Sequence, residues 1–468
     1  MRIKSLKSGS SVVKISDLSN TADAKGSSSN WVTIITGANG TRKSLLLRQI
    51  ASASRGFSRA KIGDYLSPQL SLEKDKRKTA RVIAIAGTPF DRFVRGAANA
   101  IRSDEDNYSY FGFKSLNGSI GPSGINRVIG SLLWRHRDSL PQRIDPLCSI
   151  FNFLSIQPYM AVRLRRNRKL NAASQESNDL GVKRGNLDPN LIRPFLEAQR
   201  EKLQSESNEN LLLYVNYLLR SKARLSKLEK WLTNFPNQIE YDFTNGNHQV
   251  LFPIDDEWDL ESLIDLGVLG MDDLFIRREL PDGEFVEISA SSLSSGQSQL
   301  MLGLVGLGIE IEDDSLVLID EPENSLHPEW QRQYIQLLEQ VLGDARYCHI
   351  VIATHSPLVT SGVNGQRGNL IRLVPDSQSK FGIVSEPLAQ NFGWSVNETL
   401  ERLFEMQTTR GSGFVDMADQ ALQMIRDKRT ETEEFRSLVR SITESSKNLP
   451  ENDPALQVVR AIAKTIHE

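Results

Sequence analysis

Residues 37–44 read GANGTRKS, and this stretch decides the fold. It follows the apolar, β-branched run WVTIIT at residues 31–36 and leads into the helix-like run LLLRQIASAS. The stretch matches the phosphate-loop pattern GxxxxGK[ST] except at Arg42, which stands in place of a glycine. In such a loop, backbone amides at a helix N-terminus surround phosphate groups. We therefore expect a nucleotide-binding unit in which Lys43 reaches the terminal phosphates and the Ser44 hydroxyl binds Mg²⁺.

Position 42 is the one departure within this loop. A side chain there is expected to be tolerated only if φ stays negative and Cβ points away from the phosphates. Arg42 then either projects outward or adds a charge-assisted contact of its own. The alternative is a glycine turn that precedes a helix by coincidence. The residues expected to contact the nucleotide are Asn39, Gly40, Thr41, Arg42, Lys43, Ser44 and Leu45.

The segment SLVLIDEPE at residues 315–323 predicts an apolar strand that ends in carboxylates. The carboxyl ends of parallel strands are where open α/β sheets place their ligands. We expect Asp320 to hold Mg²⁺ through water and Glu321 to polarise the attacking water, as phosphoryl transfer requires. An ordinary acidic strand end is the alternative interpretation.

The segment VIATHSP at residues 351–357 predicts a further apolar strand, which ends in a lone histidine. By itself, such a histidine is more often a hydrogen-bonded core residue than a catalytic one. His355 follows Glu321 by the length of one helix and one strand, so the two strand ends can be neighbours. An imidazole at that edge would bridge the γ-phosphate and the attacking water.

The segment LSSGQ, Leu293–Gln297, opens a helix-like run upstream of Asp320. A serine hydroxyl, a glycine amide and a helix N-terminus together form a second anion-binding site. Serine–glycine turns before helices are common, so the string is specific only in order with the other three motifs. The candidate residues are Ser294, Ser295, Gly296 and Gln297.

Composition excludes several classes of protein. The 468 residues suffice for two or three domains. With 56 Lys plus Arg against 58 Asp plus Glu, the chain has no net positive charge that would attract a polyanion such as nucleic acid. The two cysteines, Cys148 and Cys348, are far apart, which argues against a disulfide framework and favours the cytoplasm. No window approaches the roughly 20 apolar residues of a membrane-spanning helix.

The ordered set GANGTRKS, LSSGQ, LVLIDEPE and ATHS resembles the head of ABC-type ATPases. The segments ENSLHPEW, Glu323–Trp330, and TPFDRF, residues 88–93, resemble the soluble branch that includes RecF and the overcoming-lysogenisation proteins. The same branch contains bacterial anti-phage ATPases (the AAA_15 and AAA_21 groups), among them the ATPase subunits of the Septu and PARIS systems. The resemblance covers residues 31–93 and 290–375, and more weakly residues 394–404.

This resemblance implies an α/β fold, namely an ABC-type P-loop ATPase head with a mixed, mainly parallel sheet and flanking helices. The implied domains are the first part of the ATPase core (1–92), a largely helical insertion or lid (93–289), the second part of the core (290–375) and a helical C-terminal region (376–468). A second strand, RVIAIAG at 81–87, is expected beside WVTIIT. The helical stretch 191–232 suits packed helices or a short arm and is too brief for a long coiled coil.

The resemblance also implies ATP and Mg²⁺ as cofactors and assigns roles to individual residues. The signature, Ser294–Gln297, is expected to act in trans on the nucleotide that another protomer holds. Ser295 departs from the usual second glycine of that motif, and Asp91 stands near the place of the metal-sensing glutamine. The implied catalytic residues are Lys43, Glu321 and the switch residue His355, and the implied metal set is Ser44, Asp320 and Asp91.

The expected partners are a second copy, in a dimer or a higher oligomer built from ATP-sandwich dimers, and a separate effector. The chain is predicted to hydrolyse ATP without nuclease activity of its own, because no acidic strand-end pair follows residue 374. The effector implied by the resemblance is a nuclease in anti-phage defence. The alternative is a RecF-like DNA-maintenance ATPase, and a transporter subunit is disfavoured by the long insertion. RLRRNRK at 163–169 either contacts nucleic acid or is a solvated basic loop.

Overall fold

The computed structural model describes most of the chain. The described residues are 2–16, 30–54, 69–72, 79–93, 107–115, 118–119, 121–171, 187–206, 208–235, 237–244, 249–251, 258–406 and 408–465.

The described part of the chain contains both strands and helices. The strands are β1 (Ile3–Ser8), β2 (Ser11–Lys14), β3 (Trp31–Thr36), β4 (Gln69–Leu72), β5 (Val82–Ala86), β6 (Tyr108–Phe111), β7 (Lys114–Ser115), β8 (Gly118–Ser119), β9 (Tyr159–Arg166), β10 (Gln238–Asp242), β11 (Gln249–Leu251), β12 (Leu269–Glu279), β13 (Phe285–Ser289), β14 (Leu316–Asp320), β15 (His349–Ala353), β16 (Gly368–Pro375) and β17 (Ile383–Leu388). The helices are α1 (Lys43–Ser54), α2 (Pro122–Arg135), α3 (Ile144–Phe153), α4 (Pro189–Glu206), α5 (Glu209–Leu219), α6 (Lys222–Asn234), α7 (Leu260–Asp265), α8 (Ser295–Leu300), α9 (Gly306–Glu310), α10 (Pro328–Leu342), α11 (Pro357–Thr360), α12 (Val396–Arg402), α13 (Ser412–Arg426), α14 (Glu433–Ser446) and α15 (Pro454–Lys464). One π turn, Met301–Val305, joins α8 to α9.

A central sheet has the strand order β17-β16-β3-β15-β14-β5-β6. All neighbouring pairs in it are parallel except β16 and β17. Every residue of β3, β5, β14 and β15 is buried, as expected for strands covered on both faces. The carboxyl ends of these strands therefore lie along one edge, where β3, β14 and β15 lead into three of the sequence motifs.

One predicted neighbour in this sheet is wrong. RVIAIAG forms β5, but β15 and β14 lie between β5 and β3. Two strands from the second part of the core therefore enter the sheet between the first two strands of the core. Strand order depends on how the crossover connections pack, which strand-forming residues do not record. The predicted adjacency of β14 and β15 is confirmed, with Asp320 opposite Ala353.

The segment predicted as an insertion contains a sheet that the pattern of residues does not predict. Its strands are antiparallel in the order β11-β10-β9-β12-β13, and α2 packs against β12. The strand β6 lies in the same segment but pairs with β5, so it belongs to the central sheet. The predicted packing of short helices over residues 191–232 is confirmed by α4, α5 and α6, which contact one another.

The basic run RLRRNRK lies at the end of β9 and in the turn after it. The Arg163 guanidinium lies 4.0 Å from the centre of the Phe275 ring, and Arg165 pairs with Asp272 at 2.8 Å. Arg168 and Lys169 are exposed. Two of the cations in this basic run thus contact other residues of the insertion sheet. Part of the run therefore has a structural role, although its composition also suggested contacts with phosphate groups.

The chain divides into two compact units, Met1–Gly393 and Trp394–Glu468. The described residues of the second unit form helices, and α13, α14 and α15 pack around an apolar core. The buried residues of that core are Ala421, Met424, Phe435, Val439, Ile442, Val459 and Ile462. Within the described ranges, no helix is both long enough and apolar enough to cross a membrane.

A buried histidine ties β1 to the central sheet. His349 Nδ1 accepts a hydrogen bond from the Ile3 amide (3.0 Å), and its Nε2 lies 2.9 Å from Thr33 Oγ1. Because Nδ1 is an acceptor, the neutral ring carries its proton on Nε2 and donates it to Thr33. The Thr33 hydroxyl then donates to Asn369 Oδ1 at 2.8 Å. Burial lowers the pKa of His349 to about 3.

The free energy of unfolding is therefore expected to fall as the pH drops below 6.5. His349 takes up a proton near pH 6.5 in the unfolded chain but only near pH 3 in the folded chain. Between these two pH values, His349 lowers the free energy of unfolding by up to about 1.4 kcal/mol for each pH unit. His349→Asn keeps an acceptor for the Ile3 amide without the titration, so its denaturant unfolding curves should depend less on pH. The exposed His327→Asn is the control, and an unchanged slope in His349→Asn would contradict the assignment.

Candidate functional site

The phosphate loop connects β3 to α1. Gly37 and Gly40 have φ angles of 150° and 83°, and a Cβ on Gly37 would lie 2.7 Å from Thr41 Oγ1, so glycine is required there. Lys43 Nζ donates to the carbonyls of Gly37 (2.9 Å) and Ala38 (3.2 Å), which holds the ammonium over the loop. Burial lowers the pKa of Lys43 to about 8, against the opposite effect of nearby carboxylates.

The remaining loop residues lie around this ammonium. Asn39 and Gly40 are exposed at the tip of the loop, whereas Thr41 is buried and its hydroxyl donates to Ala38 O at 2.8 Å. Ser44 and Leu45 are half-buried in the first turn of α1. The loop therefore presents an exposed tip and a buried cation at one helix N-terminus.

Arg42 has a φ of 61°, so the expectation of a negative φ at this position is wrong. A non-glycine residue in this left-handed region costs roughly 1–2 kcal/mol. The Arg42 backbone is left-handed, as a glycine's would be, while Nη1 donates to Phe381 O at 3.0 Å in the loop between β16 and β17. The side chain thus projects outward to a second anchor, which helps to offset the backbone strain.

Asp320 lies at the end of β14, next to the phosphate loop. Ser44 Oγ donates to Asp320 Oδ1 at 3.1 Å, while Oδ2 is buried and has no hydrogen-bond partner among the described residues. Burial raises the pKa of Asp320 to about 7, and the hydrogen bond from Ser44 opposes that rise. A serine hydroxyl beside an unused carboxylate oxygen is a donor set that suits Mg²⁺.

Glu321 and His355 occupy the neighbouring strand ends. Glu321 has a φ of 50°, its amide donates to Ala353 O (2.8 Å), and its Oε2 accepts from Asn324 Nδ2 (2.9 Å). Burial lowers the pKa of the half-buried His355, and the charge of Lys43 adds to this effect. One edge of the sheet thus brings together Lys43, Ser44, Asp320, Glu321 and His355.

The LSSGQ segment forms the N-terminus of α8. Ser294 is the N-cap: its Oγ accepts from Gln297 N (3.3 Å), and its own amide donates to Gln297 Oε1 (3.1 Å), which forms a capping box. Ser294 and Ser295 are exposed, whereas Gly296 is buried. A Cβ on Gly296 would lie 2.4 Å from Ser325 O, so only glycine fits against the turn that follows β14.

A family model matches residues 32–361, and its description reads AAA domain, putative AbiEii toxin, Type IV TA system. The match covers well over half of the chain and includes all four motifs. The chain belongs to this family. The predicted fold class of an ABC-type P-loop ATPase head, and the predicted resemblance to the AAA_21 group, are thereby confirmed.

Curated relatives of this AAA_21 protein match a smaller part of it. The Septu protein PtuA of Bacillus thuringiensis is 30% identical over 120 residues, which are 23% of this chain and 27% of the relative. A probable ATPase of Retron Vc95 from Vibrio cholerae serotype O1 biovar El Tor is 30% identical over 125 residues, 24% of this chain and 23% of the relative. The chain thus matches about a quarter of the length of these relatives.

Solved structures with a weak similarity to this chain include the SMC head domain from Thermotoga maritima, with 12% identity, coverage of 83% of this chain and 100% of that chain, and a TM-score of 0.28. The recombination mediator RecF with ATP has 13% identity, covers 83% and 99% of the two chains, and has a TM-score of 0.28. Similarities of this size say nothing about function. The functional proposal rests on the family match and on the site itself.

Asp91 has a different environment from the one expected of a metal ligand. Its Oδ1 accepts from Phe93 N (2.9 Å), and its Oδ2 accepts from Tyr110 OH (2.8 Å) and lies 3.2 Å from Lys114 Nζ. Each oxygen of this buried carboxylate therefore already has a partner that holds the loop after β5. The metal role of Asp91 stays a prediction.

Two further residues of this AAA_21 site are missed by reasoning from the sequence. Glu323 accepts hydrogen bonds from the loop that carries His355, and buried Gln299 donates to Pro322 O at 3.1 Å. Gln299 thereby ties α8 to the turn after β14. The last glutamate of DEPE could have been noticed in the sequence, but nothing there shows which loop its carboxylate reaches.

Proposed function

We propose that this chain binds MgATP and hydrolyses it at an interface between two copies of itself. The observation that carries this proposal is the junction of the phosphate loop with the acidic strand end. There, Ser44 Oγ donates to Asp320 Oδ1 (3.1 Å), and Oδ2 has no hydrogen-bond partner in the part of the chain that the structure describes. Ser44 and Asp320 would hold the Mg²⁺ ion. Bound there, the ion would neutralise charge on the phosphates during phosphoryl transfer.

The other side chains divide the work of hydrolysis. The Lys43 ammonium donates hydrogen bonds to the carbonyls of Gly37 and Ala38. Phosphate oxygens would join or replace these acceptors when ATP binds. Glu321 orients and polarises the attacking water from the neighbouring turn. His355, kept neutral by burial and by the charge of Lys43, can accept or donate a hydrogen bond at the γ-phosphate.

The exposed signature supports completion of the site by a second copy. Ser294 and Ser295 lie at a capped helix N-terminus with their side chains exposed, so they are available to a phosphate group outside their own protomer. A symmetric dimer would then contain two composite sites, each with the phosphate loop of one copy and the signature of the other.

A mixing experiment tests this arrangement. Lys43→Ala disables the phosphate loop, and Ser295→Arg blocks the signature at an exposed position, so each variant alone is expected to lack ATPase activity. In a mixture, half of the dimers contain one intact composite site, so the activity should recover to at most about a quarter of the wild-type value. Colorimetric phosphate release measures this recovery. Full activity of Ser295→Arg alone, or a mixture that forms heterodimers and stays inactive, would contradict completion in trans.

We extend the proposal to the biological role. The names of the Septu and retron relatives support an ATPase of anti-phage defence. We propose that it acts in the cytoplasm, where nucleotide binding and hydrolysis control a separate effector protein, a nuclease. Direct DNA binding of the RecF kind has less support, since Arg163 and Arg165 of the basic run interact with Phe275 and Asp272. Co-purification with the product of a neighbouring gene, and ATPase assays with DNA at two salt concentrations, separate the two roles.

A further inference from the structure

Glu323 lies beside the proposed site and has no role in the chemistry described so far. It stands in the turn between β14 and α10, two residues after Glu321. Its carboxylate makes two contacts with the loop after β15: Oε1 accepts from the His355 amide at 2.5 Å, and Oε2 accepts from Thr354 Oγ1 at 2.8 Å. Both oxygens thus bind consecutive residues of the loop that carries His355.

These contacts belong to a closed ring of hydrogen bonds. Thr354 Oγ1 accepts from Ser356 N (2.9 Å), and Ser356 Oγ donates to Gln331 Oε1 (2.7 Å). Gln331 Nε2 donates to Leu326 O (3.0 Å), and the Leu326 amide donates to Glu323 O (3.0 Å), which closes the ring. The ring joins the turn after β14 to the loop after β15, so the two loops are held in one arrangement.

We infer that Glu323 is a positioning residue that holds His355 in register with Glu321 for hydrolysis. The inference rests on the proposed ATPase function and adds to it a residue that touches neither ATP nor metal in the argument above. Up to Thr354, the loop is held by strand pairing, by the amide of Glu321, and by the Thr354 amide, which donates to Ile35 O at 3.1 Å. Beyond that point, the Glu323 carboxylate accepts a hydrogen bond from the His355 amide itself. Removal of this carboxylate therefore frees the backbone that carries the imidazole.

The expected result is a loss of turnover without a loss of binding. Glu323→Ala should lower kcat on the order of 10- to 100-fold, because small displacements of a catalytic group have effects of this size. The Kd for ATP should change by less than about 2-fold, because Lys43 and the phosphate loop are untouched. Glu323→Gln keeps an oxygen for the His355 amide and an NH₂ group that can donate to Thr354 Oγ1, so it should retain most of the turnover.

Three comparisons make the test decisive. In a double-mutant cycle, Glu323→Ala should add little to the loss in His355→Ala, because both changes remove the same positioned group. In the nucleotide-free protein, Glu323→Ala should speed hydrogen exchange of the His355 and Ser356 backbone amides, a readout that needs no hydrolysis. Glu329→Ala, at an exposed glutamate of α10 that pairs with Arg332, is the matched control and should change none of these quantities.

Several outcomes would overturn the inference. These are equal losses in Glu323→Gln and Glu323→Ala, which would assign the effect to charge; additive losses in the double-mutant cycle; or unchanged exchange at the amides of residues 355 and 356. Failure of the proposed function looks different. In that case the wild-type protein would not hydrolyse ATP, whereas the exchange experiment would still report whether Glu323 holds the loop.

Discussion

Lys43→Ala is expected to weaken nucleotide binding strongly, with the Kd for ATP rising about 10- to 100-fold. A charge-assisted hydrogen bond contributes about 1.5–3 kcal/mol, and about 1.4 kcal/mol corresponds to a tenfold change in Kd. Lys43 is the buried cation of the phosphate loop, and its ammonium is held over that loop by two carbonyls. Titration calorimetry with MgATP measures the change, and retained affinity would remove the phosphate-loop assignment.

The pH dependence of ATP binding gives a second signature of the same lysine. Burial lowers the pKa of Lys43 in the nucleotide-free protein to about 8. A bound triphosphate favours the charged ammonium, so above pH 8 binding must be accompanied by proton uptake and the affinity should fall. The exposed Lys230→Ala on α6 is the control and should keep both the affinity and its decline with pH.

Glu321→Gln is expected to leave ATP binding in place and to lower kcat by about 10²- to 10⁴-fold, the usual contribution of a general base. The amide side chain keeps an oxygen for Asn324 Nδ2, so the turn at Glu321, with its φ of 50°, should be preserved. Without hydrolysis, ATP stays between the two copies, and the dimer should persist in size-exclusion chromatography with light scattering.

The matched control for this experiment is Glu339→Gln, an exposed glutamate on α10. It should hydrolyse ATP at the wild-type rate and return to the nucleotide-free oligomeric state. Turnover of Glu321→Gln within a few-fold of wild type would take Glu321 out of its role. A variant that hydrolyses no ATP and yet forms no ATP-dependent dimer would instead count against the shared interface.

Some parts of the site could be predicted because they are local in sequence. GANGTRKS specifies its own turn, since Gly37 and Gly40 allow positive φ and Lys43 with Ser44 begin the helix. The acidic end of β14 and the capped start of α8 follow from short patterns in the same way. Such features involve neighbours within a few residues, so the order of residue types is enough to predict them.

Other features depend on contacts with distant residues, which a local pattern does not reveal. Arg42 adopts a left-handed backbone against its own preference, and its guanidinium bonds to Phe381, more than 300 residues away. Asp91 stays a predicted metal ligand, and its carboxylate contacts Tyr110 and Lys114, which no local pattern pairs with it. The insertion sheet is not predicted from the sequence, because β9 mixes cations with apolar residues. Arg163 is accommodated in that sheet because its guanidinium lies over the ring of Phe275.

By itself, the sequence determined the P-loop ATPase fold, the four motifs and their order, because loops and strand ends of this kind are coded by adjacent residues. Only the tertiary structure decided that β15 and β14 separate β3 from β5, and that Glu323 binds the loop of His355. The physical reason is that hydrogen bonds between strand ends depend on how crossover helices pack, a property of the whole chain that no single segment carries.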